Sequence, residues 1–178
     1  MEVCVLLKDY IYYVSYGSNM LYERFLYYIK GGYCSFNGNS YIPCRDTSEP
    51  KAVKAVKIPY SMYFGNSSSS WGGGVSFLDY STPGMALGVA YLITREQFEH
   101  VHEQEGKSSI WYNEARELPT IEGYKAITIS NSSLRPLKEP GEPYKAVLYR
   151  GIKENFPDLR DEDIEEYLNT RNKFISGN

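Results

Sequence analysis

Two short stretches carry residues able to do chemistry. The first is Tyr16-Gly17-Ser18-Asn19-Met20. It follows the strand formers Tyr12-Tyr13-Val14 and precedes the helix formers Leu21-Tyr22-Glu23-Arg24-Phe25-Leu26. A strand that ends in small polar residues before a helix brings several backbone N–H groups to one point. Such a point binds a carboxylate, a phosphate or a developing oxyanion. An empty strand-to-helix turn has the same signature. The second stretch is Glu103-Gln104-Glu105-Gly106. Glu105 stands at the C-terminal end of an expected helix, where the macrodipole disfavours a carboxylate. In apolar, aromatic surroundings, desolvation would raise its pKa towards the range of a general base. A solvated glutamate on a helix end is the other reading, and by composition the commoner one. Glu103 competes with it, but the two lie about 200° apart around a helix, so only one can face a cleft. His100 and His102 are two apart and so do not form the i, i+4 pair of a helical metal site. Ser18 or a cysteine used as a nucleophile would need a His–acid partner that the sequence does not place.

These residues need elements to hold them. A strand over Tyr12–Val14 should lead into the turn, with Ser18 or Asn19 as helix N-cap. A helix over Leu21–Lys30 would turn Leu21, Phe25, Tyr28 and Ile29 to the core and end at Gly31-Gly32. Phe36–Pro43 reads as an irregular surface excursion. Lys51–Tyr63 partly alternates apolar and basic residues, as strands with one exposed face do, and Pro59 belongs at an edge or strand end. The serines Ser67–Ser70 read as a mobile loop. Gly72–Gly74 suits either close approach of backbone to a ligand or a hairpin corner. Val75–Leu78 is a strand, Tyr80–Gly84 a turn, and Ala86–Ile93 a buried strand. Thr94 and Gln97 form a T-x-x-Q capping box, so a helix should start at Arg95 and stop at Gly106. A strand is expected from Ile110, a turn at Ile121–Tyr124 and a strand over Tyr124–Ile129. Ser130–Pro143 is a loop able to cover a cleft. Helices are expected over Tyr144–Glu154 and Asp161–Leu168, the latter with its acids early and solvated.

The composition narrows the class. A chain of 178 residues, 42% hydrophobic and 23% charged, suits one globular domain over 1–178. The formal net charge of −3 and the lack of a basic run argue against a nucleic-acid partner. No stretch reaches the roughly 18–20 apolar residues of a membrane span. The segment Met1–Tyr10 lacks the basic start and cleavage site of a signal peptide, and reads as a short extra strand or a frayed lead-in. The three cysteines, Cys4, Cys34 and Cys44, fit no metal spacing and no disulfide framework, which points to a cytoplasmic protein with reduced thiols. Tyrosine is abundant, with 18 residues able to line a polar cleft as well as a core.

Three stretches in order resemble the gamma-glutamylcyclotransferase-like family. Tyr16-Gly17-Ser18-Asn19-Met20 is similar to its YGSN(L/M) signature. Phe64-Gly65-Asn66-Ser67 followed by Trp71-Gly72-Gly73-Gly74, and Gly88-Val89-Ala90-Tyr91-Leu92 followed by Glu103-Gln104-Glu105-Gly106, complete the set. The resemblance covers roughly the first two-thirds of the chain. It implies an α+β fold, a small mixed β-barrel surrounded by helices. It also implies release of an amine from a gamma-glutamyl group with closure to 5-oxoproline, without metal or organic cofactor. Under it Glu105 is the catalytic general acid and base. Tyr16, Gly17, Ser18, Asn19 and Met20 contact substrate, and so do Tyr112, seven residues beyond the glutamate, and Tyr144, after the proline-containing loop. The partner implied is a small gamma-glutamyl compound, and the resemblance leaves its leaving group open among an amino acid, an amine, glutathione and a carrier protein. The alternative is a non-catalytic protein on the same fold that binds a small carboxylate, although an acid at position 105 would gain such a binder nothing.

Overall fold

The computed structural model describes residues 9–175. The expectations for the segment before Asp9, Cys4 included, lie outside the described residues. The chain begins with β1 (Tyr10–Ser15), a 3₁₀ turn (Ser18–Met20) and α1 (Tyr22–Lys30). Two short strands, β2 (Gly32–Tyr33) and β3 (Ser40–Tyr41), precede the long strands β4 (Val53–Ser68) and β5 (Gly73–Thr94). Then come α2 (Arg95–Glu105), β6 (Glu114–Ile121), β7 (Tyr124–Ser130), α3 (Glu142–Asn155) and α4 (Asp161–Thr170).

The strand β1 is central because its residues can be buried on both faces: every residue from Ile11 to Ser15 is buried. It pairs antiparallel with β5 and parallel with β7. With β4 outside β5 and β6 outside β7, the order is β4-β5-β1-β7-β6. This is the mixed sheet with surrounding helices that the sequence implies. Its ladder runs open from β4 to β6 among the described residues. Ser130 at the end of β7 nevertheless reaches back to β5. Its Oγ accepts from Leu78 N at 2.8 Å and donates to Leu78 O at 2.9 Å, curling the sheet on itself. Pro59 lies on the edge strand β4, beside register shifts at Ile58/Tyr60 and Tyr60/Ser61, where its missing N–H breaks no ladder.

Several local expectations are corrected. Tyr80–Gly84 is not a reversing turn, and β5 runs straight through it. The turn chemistry is used to bend the strand. Asp79 accepts from Ser81 N at 3.0 Å, Ser81 Oγ at 2.6 Å and Thr82 Oγ1 at 2.6 Å, while Pro83 faces the irregular part of β4 at Tyr60. Ser67–Ser70 is not a loop throughout: Ser67 and Ser68 finish β4, Ser68 pairs with Gly73, and only the turn beyond is irregular. Phe36–Pro43 is not wholly irregular, because β3 pairs with β2 as a small hairpin. No strand begins at Ile110. Asn131 Nδ2 holds the carbonyls of Ser109 at 2.8 Å and Trp111 at 2.7 Å, fixing that segment as a turn until β6 starts at Glu114. The third helix starts at Glu142, ahead of Tyr144, with Pro143 in the first turn where its missing N–H is harmless.

Gly72–Gly74 forms a hairpin corner, and the close approach there is made by protein. The loop ahead of α3 presses on it, with Gly74 N donating to Glu139 O at 3.0 Å. A Cβ on Gly74 would overlap the Lys138 carbonyl oxygen. Backbone against backbone leaves little room to yield, so Gly74→Ala should lower stability by about 3 kcal/mol, the upper end for overpacking. Urea denaturation checks this; a loss below about 1 kcal/mol would mean that the loop moves aside.

Candidate functional site

The turn after β1 and the end of α2 meet, although they are far apart in sequence. The capping box starts α2 as expected: Thr94 Oγ1 accepts from Gln97 N at 3.1 Å, and Gln97 Oε1 accepts from Thr94 N at 3.0 Å. Eleven residues later the helix ends at Glu105, with Gly106 in a left-handed conformation (φ 96°). This length and phase point Glu105 inward and Glu103 outward. Glu103 is exposed and pairs with Lys107 at 2.9 Å. The Glu105 carboxylate is half-buried and accepts from Asn19 Nδ2 at 2.7 Å.

Asn19 is therefore not the helix cap that local reasoning suggests. The residue before α1 is Leu21, which offers no side-chain cap, and the Asn19 amide also donates to Tyr13 OH at 3.2 Å. The side chain is oriented by its Nδ2, in a charge-assisted bond to the carboxylate, and its Oδ1, the atom a cap would use, is buried with no partner among the described residues. The backbone of Asn19 is anchored as well: its carbonyl accepts from Tyr91 OH at 2.6 Å, and the Tyr91 ring stacks on Phe25 at 4.2 Å. No hydrogen bond among the described residues uses the N–H of Ser18 or Asn19, the first donors of the 3₁₀ turn.

Around this pair lies a cavity of about 40 Å³ lined by Tyr13, Tyr16, Gly17, Ser18, Asn19, Ser76, Glu105, Tyr112 and Tyr144, among others. At roughly 10–15 Å³ per water, it admits a few waters, or a carboxylate or carbonyl group, and little more. A second, wider cleft of about 360 Å³ shares Ser18, Glu105, Tyr112 and Tyr144 with it. Glu105 thus stands where a small inner chamber meets an outer cleft. The two tyrosines from the far end of the sequence converge on Ser76. Tyr112 OH donates to Ser76 O at 2.8 Å, and its ring stacks on Phe77 at 4.9 Å. Tyr144 OH accepts from Ser76 N at 3.0 Å and bonds Ser76 Oγ at 3.0 Å. Tyr16 OH donates to Ile129 O at 2.6 Å, so the residue lines the chamber with its hydroxyl committed.

Met20 is not brought to the chamber. It is fully buried, and its carbonyl accepts from Asn155 Nδ2 at 3.0 Å. The histidines leave the chemistry too: His100 bonds Ile42 O at 2.7 Å, and buried His102 bonds Tyr112 O at 2.7 Å. Neither Cys34 nor Cys44 lines the cavity, and burial pushes the Cys44 thiol up to about 11. Among the described residues no cluster of His, Cys, Asp and Glu is arranged to hold a metal ion.

Two residues of the site escape the sequence reading. Ser76 gives no signal beyond a polar residue inside a strand. Arg24 does have one: it is i−4 from Tyr28 on the buried face of α1, so helical spacing directs it inward. Its guanidinium is 2% exposed and lies over the rings of Tyr28 (4.7 Å) and Tyr41 (4.8 Å), in the wall of the outer cleft.

These charges set the titration of Glu105. Desolvation holds its pKa above the ordinary glutamate value, while Arg24, Asn19 and Tyr28 pull it back. The carboxylate is thereby costly to ionise but retains partners that keep ionisation within reach.

Comparison with known proteins gives the fold. No family model matches the chain. A human protein described as uncharacterized superposes with a TM-score of 0.64 at 24% identity, over 96% of this chain and 90% of that one. A structure titled gamma-glutamyl cyclotransferase does so with a TM-score of 0.63 at 22% identity, over the same shares of each chain, 96% and 90%. YkqA of Bacillus subtilis follows with 0.62 at 21% identity, over 96% of this chain and 57% of that one. The chain therefore has the gamma-glutamyl cyclotransferase fold. Among curated proteins, histone deacetylase 5 of Arabidopsis thaliana is 29% identical over 202 aligned positions, 89% of this chain. The chain spans 30% of the length of that relative.

The raised pKa has a consequence for folding. A carboxyl group whose folded pKa lies above its unfolded value of about 4.5 favours folding only while protonated; its contribution is fully present below that value and is lost as pH rises through the folded pKa. Glu105→Gln, which cannot ionise, should melt higher than wild type at pH 7, and the advantage should shrink below pH 4.5. Thermal melts at the two pH values measure it; an unchanged or lowered Tm at pH 7 would mean that the carboxylate is not under desolvation strain.

Proposed function

We propose that the chain is a gamma-glutamylcyclotransferase-type enzyme, releasing an amine from a gamma-glutamyl group as 5-oxoproline forms. The observation that carries this reading is the Asn19–Glu105 contact: a carboxylate with a raised pKa meets a strand-end turn bearing two uncommitted N–H groups, at the mouth of a chamber sized for an acyl or carboxylate group. The shared fold supports it.

In this mechanism the free α-amine of the glutamyl group attacks its own side-chain carbonyl. Ring closure is intramolecular, so holding the chain curled removes most of the entropic barrier. Ionised Glu105 takes a proton from the attacking amine as the new C–N bond forms. It then gives the proton to the leaving nitrogen as the old C–N bond breaks. The N–H groups of Ser18 and Asn19 stabilise the oxyanion of the tetrahedral intermediate. Tyr112 and Tyr144, tied to Ser76, form the wall that keeps the substrate curled, and Gly17 makes room for the second of them: a Cβ there would come within 2.7 Å of the Tyr144 hydroxyl. The outer cleft takes the leaving amine. Small-molecule turnover, the absence of a cofactor and a cytoplasmic site belong to the same reading.

The first test is release of 5-oxoproline from a panel of gamma-glutamyl compounds, with Glu105→Gln beside wild type. The variant should lose about a thousandfold in kcat/KM while staying folded, as expected for removal of a general acid–base. Near-normal turnover by the variant would remove Glu105 from the mechanism. Binding of gamma-glutamyl compounds without product from wild type would favour a carboxylate-binding protein instead.

The pH profile offers a second test. A base must be ionised, so kcat/KM should fall as pH drops through the raised pKa of Glu105, placing the acid limb above 4.5. Asn19→Ala removes a donor that favours the ionised form, and should move that limb to higher pH. A limb that stays in place would argue against Asn19 as the group that sets the base.

A further inference from the structure

One residue of the outer cleft does more than the cyclisation chemistry asks of it: besides acting on Glu105, Arg24 stands behind the hydroxyl of Tyr41. Arg24 buries a full positive charge, yet no salt bridge among the described residues takes it, and its Nε and Nη1 have no hydrogen-bond partner. Glu105, the other charge of the cleft, acts on Arg24 through space but forms no salt bridge with it among the described residues, so the guanidinium is left without a direct acidic partner. Its Nη2 donates to Tyr41 OH at 2.8 Å. The same hydroxyl also accepts from Asn37 Nδ2 at 2.8 Å. The orientation of that amide is fixed, because Asn37 Oδ1 accepts from Asn39 N at 3.1 Å. With both lone pairs of the Tyr41 oxygen filled, its proton must point outward, and no acceptor for it is present among the described residues. Arg24, Asn37 and Tyr41 all line the outer cleft. The cleft carries only two charged groups, Arg24 and Glu105.

We infer that Tyr41, backed by Arg24 and flanked by Asn37, binds the carboxylate of the leaving group. This rests on the cyclotransferase reading, and it names the substrate class within it: gamma-glutamyl amino acids or peptides, rather than gamma-glutamyl amines. The phenolic O–H donates to the carboxylate, and the guanidinium behind it supplies the charge. The inner chamber admits one carbonyl or carboxylate group and little more, so the departing amino acid lies in the outer cleft, which Tyr41 lines. A leaving amine without a carboxylate would leave the Tyr41 proton without an acceptor.

The matched pair gamma-glutamylalanine and gamma-glutamylethylamine differs only in that carboxylate. Wild type should prefer gamma-glutamylalanine, and Tyr41→Phe should lower the ratio of their kcat/KM values about tenfold. A ratio cancels any loss of folded protein. If wild type lacks the preference, or if the variant loses equally on both substrates, the proposal is wrong; equal loss would place Tyr41 on the glutamyl group itself. Both tryptophans of the chain, Trp71 and Trp111, line the cleft, so fluorescence gives a readout independent of turnover. If wild type makes no 5-oxoproline, N-acetylalanine and N-ethylacetamide are titrated instead. Saturable binding of N-acetylalanine alone, weakened in Tyr41→Phe, would end the cyclotransferase reading while upholding the carboxylate site. Equal binding of the two probes, or no binding, would overturn both.

Discussion

The structure depends on keeping one carboxylate half-buried and still able to ionise. Glu105 is removed from water by the tyrosines around it, which penalises its charge, and Asn19 offsets part of that penalty with a short hydrogen bond. Neither residue could hold this position alone. Asn19 is fixed by Tyr91 and the packing of Phe25, and Glu105 by the length of a helix whose start is set by the Thr94–Gln97 box. The central strand delivers Asn19, and its neighbour β5 runs on into α2 and delivers Glu105. Register between β1 and β5, with Tyr13 opposite Tyr91, therefore sets the distance between the two.

What could be read in the sequence divides along the range of the interactions involved. The capping box, the stop at Gly106 and the opposed faces of Glu103 and Glu105 are local geometry, and all were legible. The choice of Asn19 as a cap was wrong for the same reason: a local rule knows nothing of an acceptor 86 residues away. Pro83-Gly84 shows the same limit. Its residues are those of a turn, but Asp79 and the irregular partner strand convert them into a bend within β5. Arg24 had a usable signal in its helical phase, obscured by the expectation that arginine faces solvent. Ser76, which joins Tyr112 to Tyr144, had none.

The tyrosines do more than fill the core. Tyr112, Tyr144, Tyr16 and Tyr91 each spend their hydroxyl on a backbone or side-chain partner, so their rings are set as rigid walls. Tyr41 differs from these four: its oxygen accepts from both Arg24 and Asn37, and no acceptor for its proton is present among the described residues. That contrast separates hydroxyls committed within the protein from one still able to donate.

The edge position of β4 has a consequence for how copies of the chain meet. An unpaired stretch of strand is a template on which another chain can add its own strand, and only the first half of β4 is such a stretch, since Phe64, Gly65 and Asn66 pair with the 136–138 segment. That half carries exposed Lys57 and Pro59, and its ladder is broken by the register shifts around Pro59. An incoming strand would lose a donor at Pro59, bring its backbone beside lysine charge, and find no continuous register to follow. The same irregularity that bends the β4–β5 hairpin over the sheet thus also guards the molecule against edge-to-edge aggregation.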